Sequence, residues 1–469
     1  MESFWDYSVW GWMLLFSVLL GSLLVGNVIK KTIPLLQQSL IPTSVLGGAV
    51  LLIVAAVFKA FTGEVMFDTA AFNFNGTANL EVITYHALAL GFIASSFKTT
   101  GAKLNKQRTS EIVNTGITTV ATYLLQAIFG LGITLIVAMI VTDFFPAAGT
   151  LLPFGYGQGT GQAMNYGNIY EIENGFIGGK SFGLAIAALG FISAALGGVM
   201  HLNIMKHRGK LRASWREDGS LHTDKIESNG EIPMQESMDK MTVQIALILV
   251  AYMAAYLIML GLGTLLPGMR SVIYGFNFLL GVLTATLIKV SLNFLRRHGV
   301  VKKKYTNNFL MTRASNFFFD IMVVAGVAAI RLDTLEQYWG ILLILGVVGM
   351  VITYIYNRFV AKALFPDYVE EQFLMMYGML TGTASTGTIL LREIDGNFKT
   401  PASDNMVYQN FPAIVLGFPM MFLATLAPVR PILTLIIFVA FFAALNIALF
   451  RKYIFRRHAI KRHGEKDQT

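Results

Sequence analysis

Long apolar runs without charge recur along the whole chain, and they limit its possible folds more than any other feature. A bilayer core of about 30 Å is crossed by roughly 20 apolar residues in helical form. Runs of this kind cover 7–29, 32–58, 82–97, 112–142, 181–205, 241–269, 271–288, 309–330, 338–357, 405–429 and 431–450, eleven candidate spans. The third is short and carries His86, and the eighth holds Arg313 and Asp320. Only 13% of the 469 residues are charged, about half the share of an average soluble chain. That is too little charge to cover a soluble domain of this size, and the apolar content excludes a disordered one. The expected fold class is an all-α membrane protein.

The charges sort by side. Lys and Arg number 36 against 27 Asp and Glu, a net charge of +9. In a soluble chain that excess would suggest nucleic acid; in this one it reads as an orientation label, and no nucleic-acid partner is expected. Glu2 and Asp6 precede the first run and Lys30-Lys31 follow it. The N-terminus is therefore expected outside, and the segment does not read as a secretory signal peptide. Threading eleven spans leaves Lys59, Lys180, Arg270, Arg331 and Arg430 outside. The other 31 of the 36 basic residues fall inside or near the inner interface, with the C-terminal tail. A wrong span count would scramble this sorting.

A polar stretch divides the spans into five before and six after. Five is odd, so the second block starts on the opposite face, which is the condition for an inverted repeat. The expected organisation is a first repeat over 1–205, a cytoplasmic linker over 206–240, a second repeat over 241–428, and an extra span with a basic tail over 429–469.

Two segments are unsuited to a plain helix. The first, about 146–165, carries Gly155, Gly157, Gln158, Gly159, Thr160, Gly161, Gln162 and Asn165. The second, about 371–391, carries Gly378, Gly382, Thr383, Ala384, Ser385, Thr386 and Gly387. They occupy corresponding places in the two halves, one expected to enter from outside and the other from inside. Each glycine costs a helix about 1 kcal/mol relative to alanine, so glycines at 155, 157, 159 and 161 are expected to break one. Broken backbone at membrane depth is tolerated only where it lines a protein-walled, wet cavity. Paired re-entrant hairpins of this kind point to a transporter's binding site. A dinucleotide fingerprint is excluded because the first segment lies between membrane spans rather than in a βαβ unit. Gly47-Gly48 and Gly197-Gly198 read as helix-packing surfaces.

At these hairpins the chain resembles the bacterial sodium:glutamate symporter family, whose fold is related to the 2-hydroxycarboxylate transporters. The resemblance runs from about Met13 to Pro428. It rests on Ile41-Pro42 with Gly47-Gly48, on Gly157 to Ala163, on Phe182-Gly183-Leu184 with Gly197-Gly198, and on the composition of Gly378 to Gly387. The chain differs from the family in lacking a proline in the second hairpin, in carrying Gln158 where a histidine is often found, and in its eleventh span. The resemblance implies sodium-coupled uptake of glutamate across a bacterial cytoplasmic membrane by a homodimer, each protomer moving a hairpin-bearing domain against a scaffold. It implies Na⁺ as coupling ion and no cofactor.

In chemical terms, half-helix N-termini can hold carboxylates without a charged side chain, and unwound carbonyls with Ser, Thr and Asn oxygens can coordinate Na⁺. The expected substrate-binding residues are Gly157, Gln158, Gly159, Thr160, Gly161, Gln162, Thr383, Ala384, Ser385 and Thr386. Asn165 and Asp320 are candidates for cation coupling, since an acidic group inside a span is a functional candidate by default. A pairing of Asp320 with Arg313 or another polar group is the structural alternative. Lys180 is expected to snorkel outward, and Gln126, Asn277 and Asn316 to make interhelical hydrogen bonds. Two further readings stay open: proton-coupled transport of another organic anion or amino acid, and a channel, since re-entrant hairpins also build filters. An enzyme is not expected, because His86 and Asp320 stand isolated in separate spans. The chain has no Walker-type loop for ATP and no cysteine.

Overall fold

The computed structural model describes residues 3–38, 41–98, 105–208, 231, 238–395 and 400–451. Most of the linker expected over 206–240, and the basic tail beyond 451, lie outside the described residues. The fold is that of a multi-pass membrane protein: among the described residues ten helices are long and apolar enough to cross a bilayer, or eleven if the bent pair Ala402–Tyr408 and Asn410–Leu426 is one span.

The long helices are α1 (Tyr7–Thr32), α2 (Thr43–Thr62), α3 (Gly76–Phe97), α4 (Lys106–Ile140), α5 (Thr160–Asn174), α6 (Gly179–His207), α7 (Lys240–Leu265), α8 (Asn277–Arg297), α9 (Asn308–Ala328), α10 (Trp339–Leu364), α11 (Val369–Thr381), α12 (Ala384–Arg392), α13 (Asn410–Leu426) and α14 (Pro431–Leu449). Proline sets one boundary that the apolar run hid. The second span was expected from Thr32, but its helix starts at Thr43. Pro34 opens a separate short helix and Pro42 precedes the span. The residue ahead of a proline is pushed out of helical geometry, so each proline restarts the chain.

The helices gather into two lobes. In one, α3 packs on α9, flanked by α2 against α9 and α8 against α3, with α1 on α2 and α7 on α8. In the other, α4 packs on α10, with α6 against α10 and α13 against α4, and α14 also lies on α4. The second lobe also holds both interrupted segments: α5 lies against α6, and α11 against α10 and α12. Between the lobes, α5 reaches α3 and α9. Each lobe therefore draws helices from both halves of the sequence.

Close packing depends on glycine, as expected for the pairs in α2 and α6. A Cβ on Gly47 would lie 2.9 Å from the Ser22 carbonyl oxygen of α1, and one on Gly48 2.6 Å from Val327 of α9. On Gly197 it would meet the Tyr377 hydroxyl at 2.1 Å, and on Gly198 the Leu390 side chain at 2.4 Å. These glycines let α2 approach α1 and α9, and let α6 approach the second interrupted segment.

Candidate functional site

Both interrupted segments are helix–break–helix. The first descends through a 3₁₀ turn and a π-helical turn over Phe154–Gln158, breaks at Gly159, and leaves as α5. Gly159 has φ +83° and ψ −174°, a region essentially closed to other residues. The helix breaks within the glycine cluster, as expected, but the four glycines do not act alike. Only Gly159 has a positive φ. Gly155 lies against the Ala187 backbone, Gly157 against the Tyr123 ring and Gly161 against Leu88, where Cβ atoms would fall 2.8, 2.0 and 2.8 Å from their neighbours. Those three are contact glycines, set by neighbours distant in sequence. The first segment also runs on to Asn174 instead of ending near 165.

The second segment descends as α11, breaks at Gly382 and Thr383, and leaves as α12. The two breaks meet. A Cβ on Gly159 would lie 3.2 Å from Thr383 Cγ2 and 3.5 Å from Met322 Cε of α9. Thr160 donates its hydroxyl proton to the Met322 carbonyl at 3.2 Å. Both outgoing arms begin at this point. Ala163 N–H bonds the Gly159 carbonyl and Gly387 N–H bonds the Thr383 carbonyl. The N–H groups of residues 160–162 and 384–386 are then left without intrahelical acceptors, at the positive ends of two helix dipoles.

A cavity of about 120 Å³ opens beside the meeting point. Its walls come from both lobes: Phe92 and Ser95 of α3, Phe278 and Leu279 of α8, and Phe319 and Met322 of α9 on one side. On the other are Thr119 and Tyr123 of α4, Gly157, Gln158, Met379, Thr383, Ala384, Gln409, and Asn410, Ala413, Ile414, Gly417 and Met421 of α13. Every polar side chain in the lining is uncharged. Tyr123 donates to the Gly157 carbonyl at 3.0 Å, and Thr119 to Gln409 Oε1 at 2.9 Å. The volume suits a small molecule or a few waters, well below the 300–1,000 Å³ of drug-sized pockets.

Of the ten residues expected to bind substrate, Gly157, Gln158, Thr383 and Ala384 line the cavity. Gly159 forms the contact between the breaks, Thr160 bonds the Met322 carbonyl of α9, and Gly161 packs on Leu88 of α3. Gln162 is fully buried, and neither its amide oxygen nor its nitrogen has a partner. Thr386 is buried, its hydroxyl 3.5 Å from that of Thr383. The Ser385 side chain lies outside the described residues. Asn165 is outside the lining, donating to the Gly275 carbonyl at 2.6 Å. Asp320 is also outside it, exposed on α9 at the edge of a buried stretch. Arg313 instead stacks over the Phe309 ring at 5.0 Å. Lys180, partly exposed, pairs with Glu81 at 2.8 Å, joining α6 to α3. His86 bonds the Tyr252 hydroxyl at 2.6 Å.

Thr119, Tyr123, Gln409 and Asn410 were not read from the sequence as lining residues. A signal existed for the first: Thr115, Thr118, Thr119 and Thr122 share one face of an otherwise apolar run. For the second pair it was a Gln-Asn step just ahead of Phe411-Pro412. The second segment is anchored at its start, where Arg358 grips both Glu370 oxygens at 2.6 and 2.8 Å and His201 Nε2 lies 2.9 Å from one of them. Comparison with protein-family models gives no match for the chain, and comparison with curated proteins gives none either.

Proposed function

We propose that this protein is a secondary active transporter, a sodium-coupled symporter of glutamate or a related acidic amino acid, working by elevator-like alternating access. The observation that carries the reading is the cavity between two lobes at the point where two broken helices meet. Two half-helix N-termini can bind a substrate's carboxylates there through free N–H groups and aligned dipoles, with no fixed positive charge to trap the ligand. Gln158, Thr383, Gln409 and Asn410 supply hydrogen bonds that orient it. Phe92, Phe278 and Phe319 exclude water from the lobe opposite the breaks.

The packing supports two inverted repeats, with the interrupted segments as re-entrant hairpins. Counting spans in order, α3 and α9 are third and eighth, and α4 and α10 are fourth and ninth. Each of these pairs packs on its own counterpart. The contact of α2 with α9 is matched by that of α8 with α3, and α6 with α10 by α13 with α4. A scaffold of α1–α3 and α7–α9 would then hold still while the lobe of α4–α6 and α10–α14 carries the cavity across. The N-terminus lies outside and the tail inside, and the working unit is a homodimer. Neither a cofactor nor an enzymatic step belongs to this reading.

Uptake of labelled glutamate into proteoliposomes tests it. An inward Na⁺ gradient should drive accumulation that collapses when the gradient is dissipated. Uptake indifferent to Na⁺ but driven by an inward proton gradient would replace the sodium reading with a proton-coupled one centred on Asp320. Conduction without saturation would mean a channel.

A further inference from the structure

The contact between α4 and α10 holds four polar side chains in two facing pairs, Thr122 with Gln126 and Thr353 with Asn357. Each pair is spaced one helical turn apart, so both lie on the facing surfaces. All four are at most 2% exposed. Gln126 Nε2 donates to Thr353 Oγ1 at 2.8 Å and to the Leu380 carbonyl at 2.9 Å. Asn357 Nδ2 donates to the Thr353 carbonyl at 2.9 Å and faces Thr122 Oγ1 at 3.4 Å. A backbone carbonyl only accepts, so these bonds fix which end of each amide is nitrogen. The other end of each is a buried oxygen, and neither Gln126 Oε1 nor Asn357 Oδ1 has a partner. Two buried amide oxygens without partners, on side chains that share Thr353 as a hydrogen-bond partner, call for an occupant.

The chemistry of the cluster selects the occupant. Its free groups are oxygens, which suits a hard cation or a water proton rather than an anion. Leu380 lies in the last turn of α11, where the helix dipole places partial negative charge. Among the described residues no group of three or more Asp, Glu, His or Cys could hold a metal ion. With dipoles and no carboxylate, the cluster can offset one positive charge but not two. We propose that the unpaired oxygens of Gln126 and Asn357, held by Thr122, Thr353 and the Leu380 carbonyl, form a binding site for a monovalent alkali cation.

This deepens the proposed function, on which it rests for the role of the ion. Leu380 stands two residues before the Gly382 break, and Tyr123, next to Thr122, holds the Gly157 carbonyl beside the other break. A cation between α4 and α10 therefore fixes the position of both breaks. Affinity for substrate and for cation must rise together, since coupling between two sites is reciprocal.

Thermal unfolding of the purified full-length protein tests the site, titrating NaCl, KCl or LiCl against choline chloride at constant ionic strength. One alkali cation should raise the melting temperature saturably while choline does not. Gln126→Met and Asn357→Leu should weaken the apparent affinity by about tenfold or more. Asn357→Asp keeps the shape and adds a charge; it should tighten binding and create a response to Ca²⁺ absent in the parent. Should the apolar variants fail to fold, Asn357→Asp alone decides. No saturable response in the parent, or parent-like affinity in all three variants, overturns the site and leaves a hydrated polar joint. Sodium-driven uptake that persists unchanged in the variants removes the site but keeps the transporter. A cation response that depends on Gln126 and Asn357 in a protein without sodium-driven uptake does the reverse.

Discussion

Gly159 shows what a single residue contributes to the meeting of the two breaks. Its backbone sits at φ +83°, ψ −174°, where a side chain costs about 1–3 kcal/mol. A Cβ there would also press on Thr383 at 3.2 Å. Gly159→Ala should therefore lower the melting temperature and also separate the two breaks, so substrate-induced stabilisation should fall more than the melting temperature of the free protein. A differential melt with and without glutamate measures both; an unchanged ligand response would mean the breaks do not need to touch. Gly157→Ala is expected to act through packing instead, since its Cβ would fall 2.0 Å from the Tyr123 ring. The sequence made the glycine cluster visible but could not separate these roles. A glycine required by its own φ and one required by a neighbour look identical until the fold brings that neighbour in. Gln126 shows the same limit. Its interhelical hydrogen bond was legible from an amide in an apolar run, whereas its unpaired oxygen appears only once both partners of the nitrogen are known.

Among the elements, the second interrupted segment shows how a short helix is held in place by charged partners from its neighbours. Its first turn carries Glu370, which binds Arg358 of α10 through two hydrogen bonds and His201 of α6 through a third. His201 is 2% exposed, and its other ring nitrogen meets the Tyr354 hydroxyl at 2.8 Å. Removing one member of such a cluster leaves its partners desolvated and uncompensated, at a cost of about 3 kcal/mol. Glu370→Gln should lower the thermal midpoint and loosen α11, seen as faster amide exchange over 369–381 than in the parent. Exchange that accelerates uniformly across all helices would mean the cluster serves global stability only. The existence of most long helices was legible because a bilayer demands long apolar runs. Their ends were less so, because caps and prolines decide them locally: Pro42 delays α2, and the Ala402–Tyr408 helix is bent by 49° from α13. The anchor of α11 was invisible, as Glu370, Arg358 and His201 come from three separate stretches of chain.

Taken whole, the molecule depends on how its two lobes touch. Lobe membership could not be read from chain order, because each lobe takes helices from both halves and only packing assigns them. Polar links across the boundary include Lys180 with Glu81, Thr160 with the Met322 carbonyl, and Asn165 with the Gly275 carbonyl. Phe276 and Phe418 add an aromatic contact with ring centres 5.4 Å apart. Ser271 with Glu173 and the Arg331 N–H with Ser181 add to these links, so the proposed sliding of one lobe past the other would have to exchange each of them. The chain contains no cysteine, so an introduced pair forms a defined cross-link. A Cβ on Gly275 would lie 3.1 Å from the Asn165 side chain, which brings a pair at 165 and 275 within reach of disulfide geometry. Oxidising the double variant Asn165→Cys, Gly275→Cys should abolish uptake, and reduction should restore it. Substrate-induced thermal stabilisation should survive oxidation, because the cavity lies away from the bond. If the cross-linked protein transports at the reduced rate, the lobes do not slide past one another along α5. Alternating access would then have to come from motion of the hairpins alone.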